Sequence, residues 1–206
     1  MRIDLYGAVH KGIRSALFQT IGEVGRTDFA NDDAAAAVLT AIERTVQFLD
    51  DHAEHEDRVV MPEIQRLSPE VYTALEDEHT RTHGLQRELE RLVARTREAR
   101  GEERLSLGRK LHGRLCLLVA EHLRHMDREE TEANRVLWAH FTDEQLLGLH
   151  GRIVSAIPPP KMAEALSYML PAMHVTERTA MIAGMQAGAA AAGAAAAGAA
   201  AARRTA

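Results

Sequence analysis

Four long helical stretches, each carrying histidine, constrain the fold of this 206-residue chain more than any other feature. Helix-forming residues dominate the first two thirds of the chain, and proline is absent before Pro62. Helices are predicted over residues 4–25, 33–67, 69–100 and 102–140. Capping and breaking residues separate them: Asn31, then Ser68 followed by Pro69, then Gly101. Because the connections are short, we predict an all-α, up-down-up-down four-helix bundle.

Shorter helices are predicted after the bundle. Thr142 caps a helix that ends near Val154, and Pro158–Pro160 then break the chain. Two further short helices are predicted at 161–170 and 176–186, separated by Pro171. The remaining Ala- and Gly-rich residues form a low-complexity tail with some helical character. The predicted division is a bundle with its trailing short helix at 1–155, a C-terminal helical extension at 156–186 and the tail at 187–206.

Charge and composition exclude several classes of protein. The net charge of -5, with both signs interspersed, gives no reason to expect a nucleic-acid partner. Asp4 and His10 interrupt the region where a signal peptide would be apolar, and the uncharged run Ala187–Ala202 is shorter than the roughly 20 residues that span a bilayer. Cys116 is the single cysteine, which suits a reducing compartment. We therefore expect a cytoplasmic protein with no membrane partner.

The histidines of the four long helices lie at matched depths. His10 and His52 are each roughly 15–20 residues from the predicted turn between the first and second helices, and His83 and His122 are as far from the turn between the third and fourth. This separation is roughly 25–30 Å along a helix. An up-down-up-down bundle would therefore collect these groups in one layer. Histidines scattered at random over the surface would rarely do this.

Two of the helices carry the spacing H-x-x-x-E, which stacks imidazole and carboxylate one turn apart on the same face. His52 and Glu56 lie on the apolar stripe of the second helix, where an unpaired carboxylate would be costly. On the fourth helix Glu129 lies in the apolar sector with His125 close beside it, whereas Asp127 points away. The candidate metal ligands are His10, His52, Glu56, His79, His125 and Glu129, with His83, His122 and Asp127 as further candidates.

Alternatives remain open at several of these positions. The segment around His52 also resembles the segment around His122, so the ligand register on the fourth helix is either His122 with Asp127 or His125 with Glu129. Each His–Glu pair could instead be a buried hydrogen-bonded pair or a surface pair. Tyr6, one turn before His10, either packs in the core or faces the metal centre. Four imidazoles and two carboxylates nevertheless suit two first-row metal ions.

These residues resemble the hemerythrin family, specifically the HHE cation-binding domain of stand-alone bacterial proteins. That family has one histidine on the first helix, H-x-x-x-E on the second, histidine on the third and H-x-x-x-E on the fourth. The oxygen-carrying hemerythrins add a histidine on the third helix and end with H-x-x-x-x-D, which His79/His83 and His122/Asp127 also match. The resemblance continues through HMDREE, LWAHFTDEQLLGLHGRIV, IPPPKM and MLPAM, and covers about residues 4–186.

The resemblance implies two iron ions per chain, bridged by two carboxylates and by an oxo or hydroxo group, with one open position. It implies a protein that binds or senses dioxygen, nitric oxide or iron, as a monomer or homodimer. The alternative is a di-iron enzyme that turns over peroxide or nitric oxide. A structural bundle that binds metal incidentally is a third possibility. We favour binding or sensing, because the sequence indicates neither a partner domain nor a substrate cleft.

Overall fold

A computed structural model describes the backbone of residues 2–202 and the side chains of residues 2–188. The predicted tail therefore falls partly outside the described residues, since nothing is described beyond Ala202. The described residues form helices and contain no strand. In chain order the elements are α1 (Gly7–Arg26), α2 (Asp32–Val59), α3 (Met61–Leu67), α4 (Pro69–Glu98), α5 (Gly101–Arg128), a π-helical turn (Glu129–Ala133), α6 (Asn134–His140), α7 (Asp143–Ala156), α8 (Pro159–Ala172) and α9 (Val175–Ala202).

Helices α1, α2, α4 and α5 form the bundle. Contacts run from α1 to α2, from α2 to α4, from α4 to α5 and back from α5 to α1, as in an up-down-up-down arrangement. All four helices contribute fully buried side chains to one apolar cluster, among them Leu17, Ile42, Leu89 and Leu115. The predicted all-α four-helix bundle is confirmed.

A second apolar cluster fills the other end of the molecule, around α3, α6 and α7. Along each bundle helix the predicted metal ligands separate members of the two clusters. On α2, His52 and Glu56 lie between Leu49 of the first cluster and Val59 of the second. On α4, His79 lies between Leu75 of the second cluster and Leu89 of the first. The polar layer is thus enclosed by apolar packing on both sides.

The helix predicted over 33–67 is in fact two helices. Helix α2 ends at Val59, and α3 begins at Met61. Pro62 is the physical reason, because its ring removes an N–H donor and clashes with the preceding turn. The first helix also begins later than predicted, at Gly7, because the Asp4 carboxylate accepts hydrogen bonds from the backbone N–H groups of Tyr6 (2.9 Å) and Gly7 (3.1 Å).

The C-terminal helices fold back onto the bundle. Helix α7 packs against α2, and α8 packs closely along α1 at Gly12. A Cβ atom at Gly12 would lie 2.8 Å from Met169 Cγ and 3.1 Å from Met169 Cα, so this approach requires glycine. Pro171 does not end α8 as predicted, because in the last turn its missing N–H costs only one hydrogen bond. None of the described helices is long and apolar enough to cross a bilayer.

Candidate metal centre

Two overlapping groups of side chains meet in the polar layer. One group contains His10, His52, Glu56 and Glu129, and the other contains Glu56, His79, His125 and Glu129. Within each group the candidate ligand atoms lie within 4.8 Å of one another. The structure therefore brings together all six of the residues named first by the sequence analysis, and both carboxylates belong to both groups.

The two carboxylates each turn one oxygen toward each group. Glu56 Oε1 lies 3.0 Å from His52 Nε2, and Glu56 Oε2 lies 3.8 Å from His79 Nε2. Glu129 Oε2 lies 3.3 Å from His10 Nε2, and Glu129 Oε1 lies 3.4 Å from His125 Nε2. Carboxylates in this arrangement can bridge two cations, with two imidazoles on each side.

Several of these buried atoms have no hydrogen-bond partner in the described part of the chain. They are both carboxylate oxygens of Glu56, Glu129 Oε2, and the Nε2 atoms of His10, His52 and His79. The short distances to neighbouring imidazoles do not meet hydrogen-bond geometry at these atoms. Burying so many polar atoms without partners costs free energy. Bound cations would satisfy them, and the set of nitrogen and carboxylate donors fits first-row metals.

Three further carboxylates hold the outward-facing nitrogens of the imidazoles. His10 Nδ1 lies 2.9 Å from Glu130 Oε1, and His125 Nδ1 lies 3.2 Å from Glu78 Oε2. His79 Nδ1 lies 3.3 Å from Asp57 Oδ1, within ion-pair distance but without hydrogen-bond geometry. Carboxylates in this position orient the ring so that Nε2 faces the centre.

The sequence analysis missed Asp57, Glu78 and Glu130. Each is a direct chain neighbour of a candidate ligand, and this acidic neighbour was the available signal. It could not be decisive, because which neighbour reaches an imidazole depends on how the helices pack.

Arginines anchor two of these carboxylates. Arg14 donates to both oxygens of Glu130, at 2.7 and 3.0 Å, and Arg128 Nε donates to Glu78 Oε1 at 3.0 Å. Paired guanidinium and carboxylate groups hold a defined orientation. Burial would raise the pKa of Glu130, but His10 and Arg14 outweigh burial and lower this pKa to about 2.

In the metal-free centre, neighbouring charges shift the pKa values of several buried groups. Burial disfavours protonation of His10, but Glu129 and Glu130 outweigh burial and raise its pKa to about 9. Burial likewise opposes protonation of His79, yet Asp57 and Glu56 raise its pKa to about 9. Burial would raise the pKa of Glu56, but the surrounding imidazoles lower it to about 2. Protons therefore occupy positions that a cation would take.

The two alternative registers on the fourth helix differ sharply in burial. Glu129 is 1% exposed and lies within the centre, whereas the side chain of Asp127 is exposed to solvent. The π-helical turn starts at Glu129 itself, and such turns are frequent at functional sites. The turn allows Glu129 and its neighbour Glu130 to approach the two nitrogens of the same His10 ring. The structure brings Glu129 and not Asp127 to the centre.

His83 and His122 lie beside the centre and outside both ligand groups. Together with Thr82, Gln86 and ligands from both groups, they line a cavity of about 10 Å³. His122 Nε2 is buried and has no hydrogen-bond partner in the described chain. Burial, with His125 and His52 nearby, lowers the pKa of His122 to about 3, so this imidazole is neutral.

Tyr6 and a much larger cavity lie on another side of the centre. The Tyr6 ring is 2% exposed, packs in the second apolar cluster and has its centroid 5.4 Å from that of His10. It lines a cavity of about 740 Å³ together with His52 and Glu56. The sequence indicated no such cleft, because helices α7–α9 complete it only after they fold back onto the bundle.

Comparison with known proteins agrees with this arrangement. A family model described as the hemerythrin HHE cation-binding domain matches residues 1–137, which include every candidate ligand. The mouse protein F-box/LRR-repeat protein 5 is 21% identical to the chain over 154 residues, which is 74% of this chain and 22% of the mouse protein. The chain thus spans about a fifth of the length of that curated relative.

Proposed function

Given that this chain belongs to the hemerythrin HHE cation-binding domain family, we propose that its centre holds two iron ions and binds or senses a small ligand, either dioxygen, nitric oxide or iron itself. One observation carries the proposal: Glu56 and Glu129 each present one oxygen to each of two pairs of imidazoles. A single cation would use only one pair of imidazoles and one oxygen of each carboxylate.

The division of ligands follows from the two groups. His10 and His52 would hold one ion, His79 and His125 would hold the other, and Glu56 and Glu129 would bridge them. Iron, when bound, would supply reversible binding of a small ligand at an open coordination position. With two imidazole nitrogens and two carboxylate oxygens, neither ion would have the six ligands that iron can accept.

The protein's own residues would prepare and shield that position. Glu130, Asp57 and Glu78 would keep the imidazoles oriented, with Nε2 facing the ions. The cavity of about 10 Å³ beside His122 has room for about one water-sized molecule. The neutral imidazole of His122, whose Nε2 has no hydrogen-bond partner among the described residues, could donate to or accept from a small ligand there.

Metal analysis of the aerobically purified protein, together with its optical spectrum, tests the proposal. We expect two irons per chain and the absorption of an oxo-bridged diferric pair in the aerobic protein. Reduction should abolish this absorption, and nitric oxide added to the reduced protein should then give a new one. A ratio near one iron per chain in a fully loaded sample would contradict a dinuclear centre. Zinc in place of iron would contradict the redox-active proposal.

A second candidate function is an enzyme that turns over peroxide or nitric oxide at the same centre. Tyr6 favours it, because a buried phenol beside His10 is a candidate hydrogen-bond donor to bound peroxide. Burial, followed by Glu129 and Glu56, raises the pKa of Tyr6 well above its usual value, so the phenol keeps its proton. Stopped-flow mixing with peroxide distinguishes the two functions: an enzyme shows multiple turnovers that Tyr6→Phe slows at unchanged iron content, and a sensor shows none.

A further inference from the structure

The cavity of about 740 Å³ is far larger than a diatomic ligand requires. It lies between the bundle helices α1 and α2 and the C-terminal helices α7, α8 and α9. Cavities of roughly 300–1,000 Å³ are typical of sites for organic molecules of cofactor or drug size. Its volume therefore leaves room for a ligand much larger than the one in the proposed function.

The walls of this cavity are mostly apolar and adaptable. Helix α8 contributes Met162 and Met169, and α9 contributes Met181 and Met185. Methionine side chains are flexible and polarisable, and they adjust to apolar molecules of differing shape. Helix α7 adds Ile153 and other aliphatic side chains.

One face of α9 forms part of the wall. The lining residues on this helix are Met181, Gly184, Met185 and Gly188, which follow the spacing i, i+3, i+4 and i+7. Ala183 and Gln186 are exposed and do not line the cavity. Glu177 accepts a hydrogen bond from Lys11 Nζ on α1 at 2.5 Å, which fastens the start of α9 to the bundle.

The charged lining residues disfavour an anionic ligand. Lys161 is paired with Asp51, its Nζ lying 2.7 Å from Oδ2 and 3.0 Å from Oδ1. Burial lowers the pKa of His150, which keeps this lining imidazole neutral. Glu164, also in the lining, is paired with Arg44 at 3.7 Å, so an acyl carboxylate would lose its hydration without meeting an unpaired ammonium or guanidinium group among the described lining residues.

The polar end of the cavity touches the metal centre. Glu56 and His52 line this end, but Glu56 Oε1 and Oε2 and His52 Nε2 are the atoms assigned to the cations. The phenol of Tyr6 lines the same end and has no such assignment. An apolar molecule with one uncharged oxygen function could therefore place that oxygen against the Tyr6 phenol while its chain or ring lies among the methionines.

We propose that this cavity binds a neutral, apolar organic molecule whose single polar end faces Tyr6. The site is separate from the position of a diatomic ligand beside His122, and it does not depend on which metal the centre holds. It requires the C-terminal helices, which close three of its walls.

Titration of the full-length protein with Nile red, a neutral apolar dye, tests the inference. We expect saturable binding of one dye per chain with a dissociation constant in the micromolar range, and displacement by 1-decanol. Decanoate at pH 8, which has the same chain length and a negative charge, should displace the dye at least tenfold less well. Equal displacement by decanoate would overturn the preference for a neutral ligand.

Two double variants on α9 supply the matched comparison. Met181→Glu with Met185→Glu places two carboxylates in the lining, and we expect dye affinity to fall at least tenfold. Ala183→Glu with Gln186→Glu adds the same charge to the same helix outside the lining, and we expect less than a twofold change. Equal affinity in both variants would overturn the proposed site. Iron content, measured in parallel, should stay at the unmodified level in both, which separates this result from failure of the metal centre.

Discussion

Glu129 carries a large share of the interactions in the candidate centre. Its two oxygens face His10 on one side and His125 on the other, and it lies in the π-helical turn. Asp127, two residues earlier, projects into solvent. This contrast within a single helical turn makes the ligand register testable by substitution.

We predict that Glu129→Ala removes at least one of the two metal ions, because both imidazole groups lose their shared carboxylate. Asp127→Ala serves as the control and should retain both ions, since its side chain is exposed. Iron per chain, measured by plasma mass spectrometry on each purified variant, decides the matter. Iron loss in Asp127→Ala with retention in Glu129→Ala would reverse the assignment and favour the oxygen-carrying hemerythrin pattern.

Glu130 is predicted to set metal affinity without contacting the metal. Glu130→Gln removes the negative charge that accepts from His10 Nδ1 and from Arg14, so the His10 ring loses its fixed orientation. Substitutions of this kind typically weaken metal binding about 10–100-fold. Competition with a calibrated iron chelator measures the change. Glu132→Gln, in the same turn and more exposed, should leave the affinity within about twofold, and equal loss in both variants would contradict a specific role for Glu130.

At the scale of elements, α8 packs closely against α1 at Gly12. The contact at Gly12 brings the backbone of Met169 within 3.1–3.2 Å of where a Cβ would be. Backbone atoms cannot move away as the end of a flexible side chain can. The position of α8, and therefore one wall of the large cavity, depends on the absence of a side chain at this residue.

Gly12→Ala should therefore displace α8 and destabilise the protein by about 1–3 kcal/mol, the usual cost of overpacking. The free energy of unfolding in guanidinium chloride measures the change, and limited proteolysis near Pro158–Pro160 should become faster. Gly113→Ala is the matched control, because a Cβ there meets nothing within 4 Å and alanine is favoured in an exposed helix by up to about 1 kcal/mol. Destabilisation of similar size in both variants would show that α8 packing is not the cause.

Over the whole molecule, metal binding and proton binding compete for the same buried nitrogens. In the metal-free protein, carboxylates raise the pKa of His10 and of His79 to about 9, against an ordinary value of 6.5. These raised values stabilise the fold fully below pH 6.5, and the contribution is lost as pH rises through 9. A metal needs the neutral imidazole, so it must displace these protons.

Iron uptake is accordingly predicted to release about 1.5 more protons per chain at pH 7.5 than at pH 9.5, where both imidazoles are largely neutral. Iron affinity should fall as the pH is lowered from 9 to 6.5. A pH-indicator dye in weakly buffered solution, with anaerobic addition of ferrous iron, measures the release at both pH values. Release that does not differ between them would show that His10 and His79 are not protonated in the metal-free centre.

Local helix chemistry made much of this molecule predictable. The capping residues and the absence of early proline indicated the long helices, and the H-x-x-x-E spacing placed His52 with Glu56 and His125 with Glu129, because residues four apart share a face in any α-helix. Matched depth along antiparallel helices then predicted one polar layer. The six residues do meet there, although their role as ligands stays a prediction.

Only the tertiary structure decided which groups surround that layer and what lies beside it. Asp57, Glu78 and Glu130 reach imidazoles on other helices, so their roles depend on helix rotation and separation, which sequence spacing does not specify. The π-helical turn at Glu129–Ala133 interrupts the regular helical repeat, which the H-x-x-x-E spacing did not predict. The large cavity exists because α7, α8 and α9 return to the bundle, a contact between segments distant in sequence. Helical periodicity is a property of neighbouring residues, whereas these features are properties of surfaces that meet only in the folded chain.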